Sequence, residues 1–321
     1  MAKHFLSCDW GTTHFRLRLV DFESLEILAE KTSGAGVARI SQEADRKSRS
    51  SLFEETLLRH IKDLGRPVTE AVHCIVSGMA SSRLGWIELP YAHAPLSLRN
   101  LELPTHTLPV SCTGHSLLVT LISGIRTACD IMRGEECELA GLLRLMPELA
   151  CSEIRVIMPG THSKHVCLKN GVIEDITTYM TGELYAQSRS LPTLQPCLGT
   201  GETFVENEFC QGVEASRAFC LSAALFKIRA RALLQEKSDG LSFLSGVLIG
   251  SELRNLSGCS PLYLASSSQL AALYLLAAAS LNVPLLPIPA ATLRQAVVAA
   301  HRDLIPHPGA AAATREARFS P

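Results

Sequence analysis

Cys8-Asp9-Trp10-Gly11-Thr12-Thr13-His14 is the stretch around which the chain is organised. The apolar run Phe5-Leu6-Ser7-Cys8 precedes it and has the character of a buried strand. After it, Leu17 and Leu19 alternate with Arg16 and Arg18, the period of a half-buried strand. Residues 9–14 are therefore expected to form a tight turn between two strands of one hairpin. Gly11 lets the backbone come close to whatever sits over the turn. Thr12 and Thr13 add hydroxyls beside exposed backbone N–H groups, a concave donor surface suited to phosphate. Asp9, at the strand end, is placed to hold a hydrated Mg²⁺ against that phosphate. An ordinary Asp/Gly/Thr hairpin turn is the competing reading.

A second stretch repeats the pattern about half a chain later. The apolar run 154–158 ends in Pro159-Gly160-Thr161-His162-Ser163, and Lys164, Val166 and Leu168 follow in alternation. Each copy continues into a third strand, at 26–31 and at 172–179, and Asn170-Gly171 supplies a strong hairpin signal in the second. Two such turns facing each other would clamp a polyphosphate between two related domains.

At this point the resemblance to a known family is evident. CDWGTTHFRLRLVD (8–21) is similar to the first phosphate motif of the sugar kinase, heat-shock ATPase and actin superfamily. MPGTHSKHV (158–166) resembles a variant of its second phosphate motif. With SGMASSRLGWIELPY (77–91), DIMRGEECELAGLL (130–143), TTYMTGELYAQSRSL (177–191) and FLSGVLIGSELR (243–254), they resemble the 2-dehydro-3-deoxygalactonokinase family. The likeness runs from about residue 5 to 305. It implies an α/β fold of two similar actin-like (ribonuclease H-like) domains with a cleft between them. It also implies ATP and Mg²⁺ as cofactors and a sugar acid, 2-dehydro-3-deoxy-D-galactonate, as acceptor. The phosphates would lie on Gly11, Thr12 and Thr13, and on Gly160, Thr161, His162, Ser163 and Lys164. Adenosine would meet Gly250, Ser251, Glu252 and 266–268. Two departures stand out: His14 where relatives carry Asn, and Ala265-Ser266-Ser267-Ser268 where relatives more often have a glycine.

The expected division is residues 1–115 for sugar acid and phosphate, 116–305 for nucleotide, and 306–321 as a disordered tail rich in proline and alanine. In the first part, residues 32–50 are expected as a loop beside the cleft. Ser51 and Glu54 suggest a capping box for the helix that follows. Gly65-Arg66-Pro67 would end that helix, and 71–77 would be a strand. Residues 90–126, rich in Pro and His, would hold the crossing between domains. In the second part, helices are expected at 217–236, 241–256, 268–281 and 290–305, with strands at 261–265 and 283–286.

The loop 77–91 is unusually polar and aromatic. Ser81, Arg83 and Trp86 are its candidates for holding the sugar acid, with Arg83 the natural fork for a carboxylate and Arg133 the alternative. Against this, Trp86 could simply anchor a surface loop. Three carboxylates compete as the base: Asp130, Glu135 and Glu136. Adjacent helical residues point about 100° apart, so Glu135 and Glu136 cannot both face one hydroxyl. Gly134-Glu135 resembles the Gly-Asp pair that places the base in related kinases, which favours Glu135, with Asp130 next. Acidic residues in a first turn also complement the helix dipole, the role expected for Glu136.

Composition bounds the alternatives. A formal charge of −1 lacks the basic surface that nucleic acid requires. No apolar run approaches the ~20 residues of a membrane span, and no signal peptide is evident. Eleven cysteines, an odd number without any C-x-x-C pair, suit free thiols in a reducing cytoplasm. Oligomeric state is left open, a homodimer being compatible. Rival functions on the same fold are a kinase for a related 2-keto-3-deoxy sugar acid, a phosphatase, and a non-catalytic ATP sensor.

Overall fold

The computed structural model describes residues 3–305 apart from 44–47, 67, 69–70, 113–114, 200–202, 235–238, 257–260 and 267–268. Strands β1 (His4–Trp10), β2 (Phe15–Asp21) and β3 (Ile27–Ser33) form an antiparallel meander. Helices α1 (Val37–Glu43) and α2 (Arg49–Lys62) lead to β4 (Ala71–Gly78), which pairs parallel with β1. Short strands β5 (Ala92–His93) and β6 (Leu96–Ser97) precede the long hairpin of β7 (Thr105–Cys112) and β8 (His115–Ile122). The resulting sheet has the order β3-β2-β1-β4-β8-β7. Next come β9 (Ile125–Arg126), β10 (Ile131–Met132) and α3 (Glu135–Leu145).

The second copy starts with β11 (Glu153–Met158), β12 (Ser163–Lys169) and β13 (Val172–Tyr179), again an antiparallel meander. Four helices follow, α4 (Thr181–Ser188), α5 (Glu206–Ala218), α6 (Leu221–Leu234) and α7 (Gly240–Leu253). Then β14 (Leu262–Leu264), α8 (Gln269–Ser280), β15 (Leu285–Pro287) and α9 (Ala290–Asp303) complete it. The second sheet runs β15-β14-β11-β12-β13-β6, with β11–β14 and β14–β15 parallel. Both sheets thus share one plan: a meander whose first strand leads into a parallel array. This is the actin-like ATPase architecture.

Alternation along β1 explains how the site is placed. Leu6, Cys8 and Trp10 are fully buried in one core with Phe53, Leu57 and Ile61 of α2. The opposite face carries Phe5, buried in the core that includes α3 and α9, then Ser7, then Asp9. Ser7 Oγ meets His301 Nδ1 of α9 at 2.9 Å. One face of one strand therefore passes from apolar core to a carboxylate at the cleft. Helices α3 and α9 cross where Gly141 lies against Ala296; a Cβ on Gly141 would fall 1.7 Å from the Ala296 carbonyl oxygen. Only glycine permits that crossing.

Several expectations are corrected. Residues 37–43 are helical rather than loop, because Val37 N–H and Ala38 N–H find acceptors in the first turn. Helix α2 begins at Arg49 with Ser48 at its N-cap, so Ser51 and Glu54 sit inside it and form no capping box. The single helix expected at 217–236 is broken at Phe219, whose backbone is extended. Arg254 there donates to the carbonyls of Ser216 and Phe219. The first sheet continues through β8 to Ile122, past residue 115, while β6 crosses to pair with β13. Pro67, Ser267, Ser268 and the tail 306–321 lie outside the described residues.

Candidate active site

The first turn is closed by Gly11 N–H donating to the His14 carbonyl at 2.9 Å. Thr12, Thr13 and His14 are exposed, with Thr13 Oγ1 and His14 Nδ1 2.8 Å apart. The start of α1 braces the turn from behind: Val37 N–H donates to Gly11 O and Ala38 N–H to Thr12 O, each at 3.0 Å. Gly36 makes this approach feasible, since a Cβ there would lie 2.3 Å from Thr12 O. Asp9 pairs in register with Arg16 and is partly exposed. Removal from water raises its carboxyl pKa, and the charges of Arg16, Arg18 and His14 act against that shift.

The second turn repeats the construction. Gly160, Thr161 and His162 are exposed, and a Cβ on Gly160 would meet nothing within 4 Å. Helix α4 braces this turn, with Glu183 N–H donating to Thr161 O at 3.0 Å. Gly182 packs where a Cβ would lie 2.4 Å from Gly160 O. His162 Nε2 meets Glu183 Oε2 at 2.5 Å. Ser163 departs from the sequence expectation. It is fully buried and its hydroxyl donates to Glu252 at 2.6 Å, so it belongs to the support of the turn. Lys164 is nearly buried, and its charge acts on Glu135.

Glu135 opens α3 beside the end of β4. Gly134, at φ +112°, lies against Gly78, at φ +90°; a Cβ on Gly134 would come 3.2 Å from Gly78 Cα. Both positions occupy backbone space that favours glycine, and their contact fixes the start of α3, and with it Glu135, beside the end of β4. Glu135 Oε2 accepts from Arg133 N–H at 3.1 Å. Burial raises its pKa, the Lys164 charge opposes the rise, and Asp9 adds to it. Glu136 turns away: it is fully buried, and both its oxygens accept from Gly134 N–H at 2.8 Å. Burial, then the Glu135 charge, pushes its pKa up to about 8.

Glu138 is a site residue that sequence reasoning missed. It follows Glu135 by three positions, so the two share a helix face, and that spacing was the available signal. A cavity of about 510 Å³ is lined by Asp9, Arg16, Arg18 and Glu138 on one side and by Pro159, Ala265 and Ser266 on the other. Burial, with the charges of Asp9 and Glu135, pushes the Glu138 pKa up to about 8.

Other candidates have different partners. Both Asp130 oxygens are engaged with Thr178, taking its N–H at 2.6 Å and its hydroxyl at 2.7 Å. That ties β10 to β13. Ser81 is buried and donates to Ile122 O at 2.5 Å. Arg133 is also buried; one nitrogen donates to Ser81 O and Ser81 Oγ, both at 2.7 Å, and another to Leu89 O at 3.3 Å. Its guanidinium carbon stands 4.2 Å from the Tyr91 ring centroid. Trp86 is a core anchor, stacked on Phe53 and donating Nε1–H to Ser50 Oγ at 2.9 Å. Arg83 alone of these four candidates for the sugar acid is exposed. Gly250 packs against α5, where a Cβ would lie 2.4 Å from Ser216 Oγ. Ser251 Oγ is buried without a hydrogen-bond partner among the described residues.

Comparison with known proteins follows the same outline. Residues 9–300 match the family model for 2-keto-3-deoxy-galactonokinase. A Rhizobium meliloti protein provisionally named as a 2-dehydro-3-deoxygalactonokinase is 31% identical over 78% of this chain and 80% of its own. The Escherichia coli 2-dehydro-3-deoxygalactonokinase is 28% identical over 80% of this chain and 81% of its own. A crystal structure of a Sinorhizobium meliloti protein, again provisionally given that name, superposes with a TM-score of 0.78 at 28% identity. It covers 94% of this chain and 100% of that one.

Proposed function

Because the chain belongs to the 2-keto-3-deoxy-galactonokinase family and is on that ground a kinase, we propose that it phosphorylates 2-dehydro-3-deoxy-D-galactonate at the expense of ATP. The product is 2-dehydro-3-deoxy-6-phospho-D-galactonate, a step of galactonate catabolism. The observation that carries this reading is the pair of alike, helix-braced turns, Gly11–Thr13 and Gly160–His162, with Glu135 near enough to Asp9 and Lys164 to feel both charges.

The residues present fit ATP·Mg²⁺. Gly160 leaves open space where phosphate would approach, and exposed N–H and hydroxyl groups line both turns. Mg²⁺ usually keeps several waters and takes one or two carboxylates plus substrate phosphates. Asp9, with Glu138 in the same cavity, suits that demand. The nucleotide supplies the phosphoryl group, and the metal neutralises its charge. Phosphoryl transfer then asks the protein mainly for positioning and charge complementarity. Thr12, Thr13, Thr161 and His162 hold the phosphates, and Lys164 sets a positive charge opposite Glu135. Glu135 takes the proton from the attacking hydroxyl, its raised pKa bringing it nearer neutrality, where a base works best. Arg83 is the free guanidinium for the substrate carboxylate. Ser251 is retained as a nucleotide contact. Closure of the lobes excludes water that would otherwise hydrolyse ATP. Among the described residues no helix is long and apolar enough to cross a membrane, and a cytoplasmic location is proposed.

The test is coupled ADP release across a panel of 2-keto-3-deoxy sugar acids, with and without acceptor. Release that depends on 2-dehydro-3-deoxygalactonate and exceeds that with its stereoisomers is expected. Phosphate release without acceptor would make the protein a phosphatase. ATP binding without turnover would make it a sensor.

A further inference from the structure

We propose that Glu252 of α7 is a positioning residue that sets the shape of the second phosphate turn, an inference resting on the nucleotide site proposed above. Glu252 is 2% exposed, so it touches no ligand itself. Four donors converge on its carboxylate. Oε1 accepts from Ser163 Oγ at 2.6 Å and from His165 Nε2 at 2.8 Å. Oε2 accepts from Thr181 Oγ1 at 2.5 Å and from Tyr274 OH at 2.7 Å.

The two oxygens serve different walls of the turn. Ser163 and His165 are successive same-side residues of β12, the strand that leaves the turn. Thr181 is the first residue of α4, the helix whose next residues pack on Gly160 O and donate to Thr161 O. One oxygen therefore holds the strand and the other holds the brace, and the rigid carboxylate fixes the separation between them. Gly160–His162 spans that gap. At the first turn the brace is made by backbone alone, with Val37 N–H donating to Gly11 O and Ala38 N–H to Thr12 O.

The chemistry explains why the residue is Glu. An ionised carboxylate offers about four acceptor sites and no donor, and here four donors use them. His165 Nε2 must then carry the hydrogen, while its Nδ1 is buried without a hydrogen-bond partner among the described residues. Gln at 252 would replace one acceptor oxygen by an NH₂. The groups facing that nitrogen would have to turn their own hydrogens away from it and lose the acceptor they now share, which loosens one wall.

Nucleotide and sugar-acid binding separate this role from plain stability. Thr181 opens the helix that braces the turn, whereas Tyr274, on α8, shares the same oxygen and otherwise reaches only Ser163 Oγ, past the turn, at 3.5 Å. Isothermal titration with ATP·Mg²⁺ and with 2-dehydro-3-deoxygalactonate would be run on wild type, Glu252→Gln, Thr181→Val and Tyr274→Phe, alongside thermal melts. Glu252→Gln and Thr181→Val should weaken ATP binding about tenfold or more, the scale of one misplaced charge-assisted contact. Sugar-acid affinity should stay within about twofold of wild type, the resolution of such titrations. Tyr274→Phe should lose melting temperature while keeping the ATP affinity. Wild-type ATP affinity in both Glu252→Gln and Thr181→Val would overturn the proposal, as would equal losses of ATP affinity in Thr181→Val and Tyr274→Phe. If Glu252→Gln fails to fold, the Thr181 and Tyr274 variants decide. Wild-type protein that binds ATP but ignores the sugar acid would refute the proposed substrate, and the ATP titrations would still decide the role of Glu252.

Discussion

Replacing Arg133 by Ala tests how the acceptor loop is held. In the intact protein the guanidinium closes residues 81–91 onto the entry to α3 through Ser81, Leu89 and Tyr91. Truncation removes two hydrogen bonds of 2.7 Å and a weaker one of 3.3 Å. It leaves the Ser81 and Leu89 carbonyls short of a donor, each costing ~1–3 kcal/mol if buried and dry. Loss of the cation–π contact adds ~0.5–2 kcal/mol. Two effects oppose this. Water can enter the vacated space and bond to a carbonyl, and a buried cation whose Nε has no partner among the described residues is relieved of its desolvation. A net loss of about 2–4 kcal/mol is expected.

The loop carries Arg83, so the KM for the sugar acid should rise well above wild type while the KM for ATP moves little. Urea denaturation measures the stability, and steady-state kinetics with each substrate varied measures the split. Added guanidinium, far below denaturing concentration, should restore part of the activity by refilling the pocket. Arg133→Lys should fall between, since an ammonium can replace the bonds to Ser81 but lacks the fork that also reaches Leu89. Wild-type stability combined with a raised sugar-acid KM would refute the brace and make Arg133 a direct ligand of the substrate.

Three further outcomes are expected. Glu135→Gln should lower kcat by ~10²-fold or more with little change in either KM, as loss of a general base typically does; normal turnover in that variant, with collapse in Asp130→Asn, would transfer the role. Gly160→Val should fold normally, because a Cβ there meets nothing, yet calorimetry should show ATP binding largely lost; unaltered affinity would remove the turn from the phosphate site. Glu138 titrates at about 8 in the folded protein, against an ordinary 4.5, so the folded state keeps a proton that the unfolded chain releases between those values. Stability from this group is fully present below pH ~4.5 and is lost as pH rises through ~8. Melting temperature should therefore fall over that window, and Glu138→Gln should flatten the fall; the same slope in the variant would refute the assignment.

Much of this protein is legible along the chain. Both turns proposed to hold phosphate are local events: alternating strands on either side, with Gly, Thr and an acidic or basic neighbour between. Their period and residue types are visible within about twenty positions, and their repetition half a chain apart implied the two-lobed fold. The place of Glu135, first in its helix after Gly134, was legible for the same reason. What tertiary structure decided is which polar groups face solvent and which face other backbone. Ser81 and Trp86 sit in a polar-aromatic loop that has every appearance of a binding surface, and Arg133 stands at the entry to α3 as an equally plausible ligand. Yet Arg133 finds its acceptors 52 residues away at Ser81, and Ser81 finds its own 41 residues away at Ile122. Gly250 must be glycine where α5 presses on it, a requirement the sequence alone does not reveal. Glu252 gathers donors from three separate elements, and Glu138 joins Asp9 only where the fold makes both line one cavity. Hydrogen bonds and charge interactions act over a few ångströms of space without regard to separation along the chain. Residue type announces the capacity for such a contact, and the packing of the lobes selects the partner.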